Sequence, residues 1–360
     1  MKQVTNHMKK ILTLSMMVGL AACDKKVNGN FALLPEEESF KQSVDYSPRK
    51  IDILWVIDNS GSMETSQTNV INNFQSFIQK FQTLNYDFQM GVTTTDAYRF
   101  TTTNQANYAL LRDGRYQWMD TIPGPGANYQ YVSAGSTYMS GIRVMKKDTA
   151  NLSNVFLKNI SQGIDGSGDE RPFDSMKVTL SHSGNAGFIR PGAYLAVIMV
   201  GDEDDSTSFM NESDKPLVSS FVTYLDTLKG SGNYSVSGIF IQDTACLNTL
   251  NATYSGRSIG VRYDQLVTAT GGTKTSLCDD FGTSLSLLSD MVLQATNKFP
   301  LDRLPIVDTI VVKVDGSIIP QNASTGWTYD AAANSVNFAG SFIPAQNASI
   351  NINYDPVSFK

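Results

Sequence analysis

Histidine is nearly missing from this 360-residue chain, which carries only His7 and His182. Acid–base and zinc chemistry use that residue more than any other, so its scarcity weighs against many enzyme classes at once. No phosphate-binding loop or zinc-type Cys/His spacing occurs either. Positive charge is also short: 28 Lys and Arg stand against 34 Asp and Glu, a net charge of −6. With no basic stripe anywhere, a nucleic-acid partner is not expected. There is no internal repeat. The N-terminal apolar stretch Ile11–Leu20 is too short to span a bilayer as a mature helix.

What is present begins at that stretch. Lys9 and Lys10 precede it, Met8 is a natural start for it, and it ends in Leu20-Ala21-Ala22-Cys23. This resembles the lipobox of bacterial lipoproteins. The resemblance implies a signal peptide over residues 1–22, acylation (palmitate among the chains) of Cys23, and a lipid-anchored place in the bacterial envelope, facing the periplasm or at the outer membrane or cell surface. Asp24 follows; in enteric bacteria that residue holds lipoproteins at the inner membrane, a rule other phyla do not obey. Setting Cys23 aside leaves Cys246 and Cys278, an even pair in an oxidising compartment, and predicts a disulfide. Residues 23–48 are polar, with prolines at 35 and 48, and read as a tether.

From Ile51 onward the pattern alternates between short apolar runs and amphipathic helices. Ile51–Ile57 and Tyr194–Val200 are apolar on both faces, as in the middle of a parallel sheet. Val70, Phe74, Phe77, Ile78, Phe81 and Leu84 recur at helical spacing. Further strands are expected over 88–94, 234–241 and 273–277, and helices near 152–162, 173–182, 216–229, 262–270 and 281–297. The fold class this implies is α/β: an open, doubly wound, mostly parallel sheet with helices on both faces over residues 49–299. A polar, aromatic insertion interrupts it at about 100–150. After Phe299-Pro300, runs of β character around the turn dipeptide Asp315-Gly316 predict a small all-β module over 300–360.

Both two-sided strands end in oxygen donors. Asp58, Ser60 and Ser62 follow the first, and Asp202 follows the second. In an open parallel sheet, ligands bind beyond the carboxyl ends of the strands, so these side chains can share one mouth. Carboxylates and hydroxyls without His or Cys suit a hard cation, Mg²⁺ or Ca²⁺. The glycine between the serines would let the loop bend with both hydroxyls inward.

Asp58-Asn59-Ser60-Gly61-Ser62 resembles the D-x-S-x-S signature of the von Willebrand factor A (VWA) domain and its metal-ion-dependent adhesion site (MIDAS). The resemblance covers residues 50–300 in organisation, a Rossmann-like arrangement. It implies that Ser60 and Ser62 bind the cation directly, and that Asp58 and Asp202 hold its waters. The family's further ligand, a Thr, has no counterpart in Gly166-Ser167-Gly168-Asp169-Glu170-Arg171-Pro172. Glu170 or Asp169 stands in its place, with Glu170 preferred at the edge of the coming helix.

Other acidic residues carry less. Asp204 and Asp205 either extend the site or, the favoured reading, form a solvated acidic loop. Asp96 sits at the same rim or caps a turn, and Asp279-Asp280 supply helix N-terminal charge. Tyr98, Phe100, Tyr108, Tyr116, Trp118, Tyr129 and Tyr131 form either a contact surface or the insertion's own core. His182 falls at a helix end. The expectation is a non-enzymatic, lipid-anchored envelope protein that uses its cation for protein binding or adhesion, an acidic side chain of the partner completing the metal shell. The alternatives are a metal-stabilised scaffold of an envelope complex and a metal-dependent hydrolase.

Overall fold

The computed structural model describes residues 40–45, 50–83, 87–120, 129–206, 216–295, 298–338, 342, 344 and 348–357. The predicted signal peptide, Cys23 and the predicted tether apart from residues 40–45 lie outside the described residues. In chain order, β1 (Phe40–Asp45) comes first, then β2 (Ile51–Ile57), α1 (Glu64–Thr83) and β3 (Phe88–Thr94). The insertion holds the short helices α2 (Phe100–Thr103) and α3 (Ala106–Ala109), the hairpin β4 (Tyr116–Asp120) with β5 (Tyr129–Ser133), and the two-residue β6 (Met145–Lys146). Next come α4 (Leu152–Ile160), α5 (Pro172–Ser181), β7 (Tyr194–Val200), α6 (Val218–Lys229) and β8 (Tyr234–Phe240). Helices α7 (Thr244–Asn251) and α8 (Val261–Ala269), strand β9 (Lys274–Ser276) and helix α9 (Phe281–Ala295) complete this part.

Six strands form one sheet in the order β6-β3-β2-β7-β8-β9, all parallel except β6 at the edge. Every residue of β2, β3, β7 and β8 is buried, which explains the near-continuous apolar runs of β2 and β7. Ile51, Ile53, Trp55 and Ile57 pack with residues of α1, α4 and α9 on one face. Leu54 and Val56 pack with α5, α6 and α8 on the other. Burying one such side chain fully is worth about 1.5–3 kcal/mol, so this two-sided core dominates the stability of the domain. The register brings three strand ends level, since Ile57 pairs with Thr94 on one side and Val200 on the other.

Within the insertion several of the described aromatic residues form a core. Tyr108, Tyr116 and Tyr131 are buried, with Phe100, Trp118 and Met139 packed against them. Tyr108 and Tyr131 stack with ring centroids 4.3 Å apart, and the guanidinium of Arg112 lies 5.0 Å from the Tyr131 ring. Arg99 covers Trp118 at 4.9 Å.

The C-terminal module consists of β10 (Lys298–Pro300), β11 (Val311–Val314), β12 (Ser317–Ile319), β13 (Trp327–Asp330), β14 (Ser335–Phe338) and β15 (Ser349–Tyr354). Asp315 and Gly316, at φ 49° and 80°, make the turn between β11 and β12. The structure corrects the predicted extent of the tether. Residues 40–45 are β1, which pairs antiparallel with β15 along its whole length and extends the sheet to β1-β15-β11-β12. That pairing joins residues about 300 positions apart, so no local pattern announces it. Helix α7 was also not anticipated from the sequence.

Cys246, in the first turn of α7, is disulfide-bonded to Cys278 across 32 residues. Replacing both with Ser removes a closed loop of that length and should cost about 3–4 kcal/mol by the chain-entropy argument. Urea unfolding of the double variant against the oxidised parent measures this, and an unchanged midpoint would refute it.

Candidate metal centre

The loop after β2 is organised by its own first residue. The amide of Ser60 donates to Asp58 Oδ1 at 2.8 Å, an Asx turn that bends the chain off the sheet. Gly61 does not take a left-handed conformation, and a Cβ there would meet only the Tyr254 hydroxyl at 3.5 Å. The bend therefore comes from Asp58, not from the glycine. Two other glycines are required by close approach. A Cβ at Gly166 would lie 2.5 Å from the side chain of Asn59, and one at Gly201 would lie 2.6 Å from the Tyr263 hydroxyl.

Three loops meet here because three strand ends are level. Asp58 N donates to Val200 O, Thr95 N to Ile57 O, and Gly166 N to Asn59 O. The result is a buried cluster of Asp58, Glu170 and Asp202, whose carboxylate oxygens lie within 4.8 Å of one another. All three are 0 % exposed. The serines join them: the Ser60 and Ser62 hydroxyls are 3.0 Å apart, and Ser62 Oγ donates to Asp202 Oδ1 at 2.9 Å. Gln67 pins the loop from below by donating to the carbonyls of Asp58 and Gly163.

One positive charge faces the cluster. Arg257 Nε donates to Asp202 Oδ2 at 2.6 Å, and its terminal nitrogens donate to the carbonyls of Ser62, Leu250 and Tyr254. Nothing in the sequence marked this residue, which lies 55 positions from Asp202 in a Ser-Gly-Arg-Ser loop. Several buried polar atoms around the cluster have no hydrogen-bond partner: both carboxylate oxygens of Glu170, Asn59 Oδ1, Thr95 Oγ1 and the Tyr263 hydroxyl. Groups of this kind are rarely left bare in a protein interior. Oxygen-only donors, excess negative charge and two orphaned carboxylate oxygens fit a hard divalent cation and its waters.

The electrostatics agree with the geometry. Burial pushes the Glu170 carboxyl far above the usual carboxylate range, and the charge of Asp58 adds to the effect. Asp58 is itself pushed up by burial and by Asp202, although the Glu170 side chain and the Ser60 amide hold it back. Glu203, beside the cluster and half-buried, is pushed up to about 7 by burial and by the charges of Asp58 and Asp202.

The other acidic residues have separate duties. Asp169, the second choice for the missing Thr, pairs with Arg171 at 2.8 Å and accepts from the Tyr98 hydroxyl at 3.0 Å, outside the cluster. Asp204 and Asp205 are not a solvated loop. Asp205 is buried, pairs with Arg262 at 3.1 Å and accepts from the Phe173 amide at the start of α5. Asp204 accepts from the amides of Asp205 and Arg262. Asp96 is buried at the rim, where it accepts from Asn59 Nδ2 and the Ser167 amide and so ties two of the site loops together. Asp280 accepts from the Thr283 amide at the start of α9, and Asp279 accepts from the Ser276 amide. His182 follows the end of α5, packs edge-on against Phe100 and accepts from the Gly184 amide.

Two outcomes follow from the charges. Arg257→Met leaves Asp202 buried without its partner and should cost about 3–5 kcal/mol in chelator, part of it recovered on adding Mg²⁺ or Ca²⁺. Denaturant titrations with and without cation read both effects. The second concerns pH. Glu170 ionises near its ordinary 4.5 when unfolded but holds its proton far higher when folded without a cation. Stability from this proton is therefore complete below pH 4.5 and is lost as pH rises above it. Buried Asp52, Asp96 and Asp205, also pushed up by burial, act in the same direction. The cation-free protein should melt lower at pH 8 than at pH 5.5, and Glu170→Gln should flatten that slope; an equal slope in the variant would exclude Glu170 as its source.

No protein-family model matches the chain, and no curated protein sequence matches it. Solved structures do. The pilus adhesin SpaC from Lactobacillus rhamnosus GG, in its open conformation, aligns at a TM-score of 0.39 and 11% identity over 89% of this chain and 42% of its own. Proximal thread matrix protein 1 from the mussel byssus aligns at 0.38 and 12% identity over 73% of this chain and 52% of its own. This chain thus spans less than half of the one and about half of the other, and likeness at this level identifies neither family nor function.

Proposed function

We propose that this chain is a lipid-anchored binding protein of the bacterial envelope, built on a domain of the VWA type that carries one divalent cation, Mg²⁺ or Ca²⁺. The observation that carries the reading is the convergence of Asp58, Glu170 and Asp202 from three separate loops, with Ser60 and Ser62 beside them. Ser60, Ser62 and Glu170 are the direct ligands in this reading, and Asp58 and Asp202 hold the ion's waters. The strand order lends support. Numbered within its own sheet it runs 3-2-1-4-5-6, so the chain reverses direction between β2 and β7, and Asp58 and Asp202 leave the sheet at that point. Ligand sites of open α/β sheets lie at such a switch point.

The function proposed is cation-dependent protein binding or adhesion rather than catalysis. The only histidine outside the signal peptide serves as a cap on an exposed turn, which is consistent with a binding role. Cys23, within Leu20-Ala21-Ala22-Cys23, supplies the anchor in this reading. In one form of this reading a partner's acidic side chain completes the metal shell; in the other the cation only holds the binding domain in shape. The second reading, a metal-stabilised scaffold of an envelope complex, is favoured by the complete burial of all three carboxylates.

Calorimetry and metal analysis on the soluble chain from residue 24 test the proposal. One equivalent of Mg²⁺ or Ca²⁺ should bind, release protons as it displaces them from buried carboxylates, and raise the melting temperature. Asp58→Ala should abolish the binding. Two bound cations would favour the metal-dependent hydrolase instead, and no binding at all would leave the domain without its proposed site.

A further inference from the structure

We propose that Glu170 is a built-in ligand that closes the cation site: with Ser60, Ser62 and the waters held by Asp58 and Asp202 it completes the shell, so that no coordination position is left for a partner's carboxylate. The inference rests on the reading of this cluster as a cation site and specifies what that site accepts. Glu170 is 0 % exposed, and neither of its carboxylate oxygens has a hydrogen-bond partner. One of them lies within 4.8 Å of an oxygen of Asp58 and of Asp202, close enough for the three carboxylates to share one cation.

The segment that carries Glu170 is fastened on all sides and cannot easily swing away. Its own carbonyl accepts from the Ser206 amide at 2.7 Å. On the N-terminal side, the Gly166 amide bonds to Asn59 O at 2.7 Å and the Ser167 amide bonds to Asp96. On the C-terminal side, Arg171 pairs with Asp169 while its guanidinium lies 4.6 Å from the Tyr98 ring, and Phe173 N bonds to Asp205. A ligand held by such a frame is pre-organised for the ion, which favours binding by a site that does not rearrange.

Charge leads to the same conclusion. Three carboxylates set against Arg257 and a divalent cation leave the site with no net charge. With a hydroxyl in place of Glu170 the same site would keep one positive charge, which is what attracts an acidic side chain from outside. An incoming carboxylate would therefore meet a neutral, filled site. The cation then acts as a keystone holding together the ends of β2 and β7 and the loop before α5, and adhesive contacts fall to other surfaces.

Manganese tests this on the full-length chain. Equilibrium dialysis reports whether Mn²⁺ binds, and water-proton relaxation reports whether bound Mn²⁺ carries exchangeable water. The wild-type protein should bind one Mn²⁺ with low relaxivity, because the waters held by the buried Asp58 and Asp202 exchange slowly, and acetate should not change it. Glu170→Thr should weaken Mn²⁺ binding by at least about tenfold, raise the relaxivity, and make it fall again as acetate displaces water. Wild-type protein that binds Mn²⁺ with high, acetate-quenched relaxivity would overturn the closed site while leaving the cation site standing. Wild-type protein that binds no Mn²⁺ would overturn both. If Glu170→Thr does not fold, the wild-type measurement decides alone.

Discussion

Three carboxylates buried within 4.8 Å of one another repel strongly in a medium that screens poorly, and the top of the α/β domain is arranged around that repulsion. Something positive has to lie among them. Arg257 supplies part of it through Asp202, and a proton on Glu170 or a divalent cation supplies the rest. The loops after β2 and β7 and before α5 each contribute one acid, so whatever neutralises the cluster also fastens these loops to one another. The stability of this end of the sheet and its ability to hold a cation are thus one property.

The surroundings read as support for that arrangement. Gln67 holds the backbone of the Asp58 loop, Asp96 bridges Asn59 and Ser167, and Asp205 holds the start of α5 against Arg262. Each is a buried hydrogen bond or ion pair whose partner comes from a different segment, and each fixes a loop that would otherwise be free to shift. Among the described residues the insertion has its own small core, in which Tyr108, Tyr116 and Tyr131 pack together beside Arg99 and Arg112. A contact surface there would be presented by the polar groups over this core, not by the aromatic rings themselves. At the far end of the chain, β1 binds the segment that follows the tether into the C-terminal sheet.

Much of this was legible in the residues. The run Asp58-Asn59-Ser60-Gly61-Ser62 is contiguous and follows a two-sided apolar strand, so its place at a strand end could be read directly. Asp202 was placed at a strand end by the same logic and Glu170 at the edge of a helix, and the structure brings both carboxylates together with Asp58. Cys246 and Cys278 paired as expected from their number alone. The acidic run after β7 was misread because composition cannot distinguish a solvated Asp from one that caps a helix and pairs with Arg262. Strand β1 was missed because its partner strand lies at the other end of the chain.

The sequence by itself determined the alternation of buried strands and helices, the oxygen donors at two strand ends and the disulfide. Those are properties of period, residue type and count, which survive without coordinates. Tertiary structure decided which acid entered the cluster and which remained outside. Glu170 and Asp169 are neighbours of like charge, and only the chain's path turns one into the buried interior and the other toward Arg171 and Tyr98. It also decided that Arg257 faces Asp202. Such choices depend on distances between segments remote in sequence, where one or two ångströms separate a bare buried charge from a satisfied one.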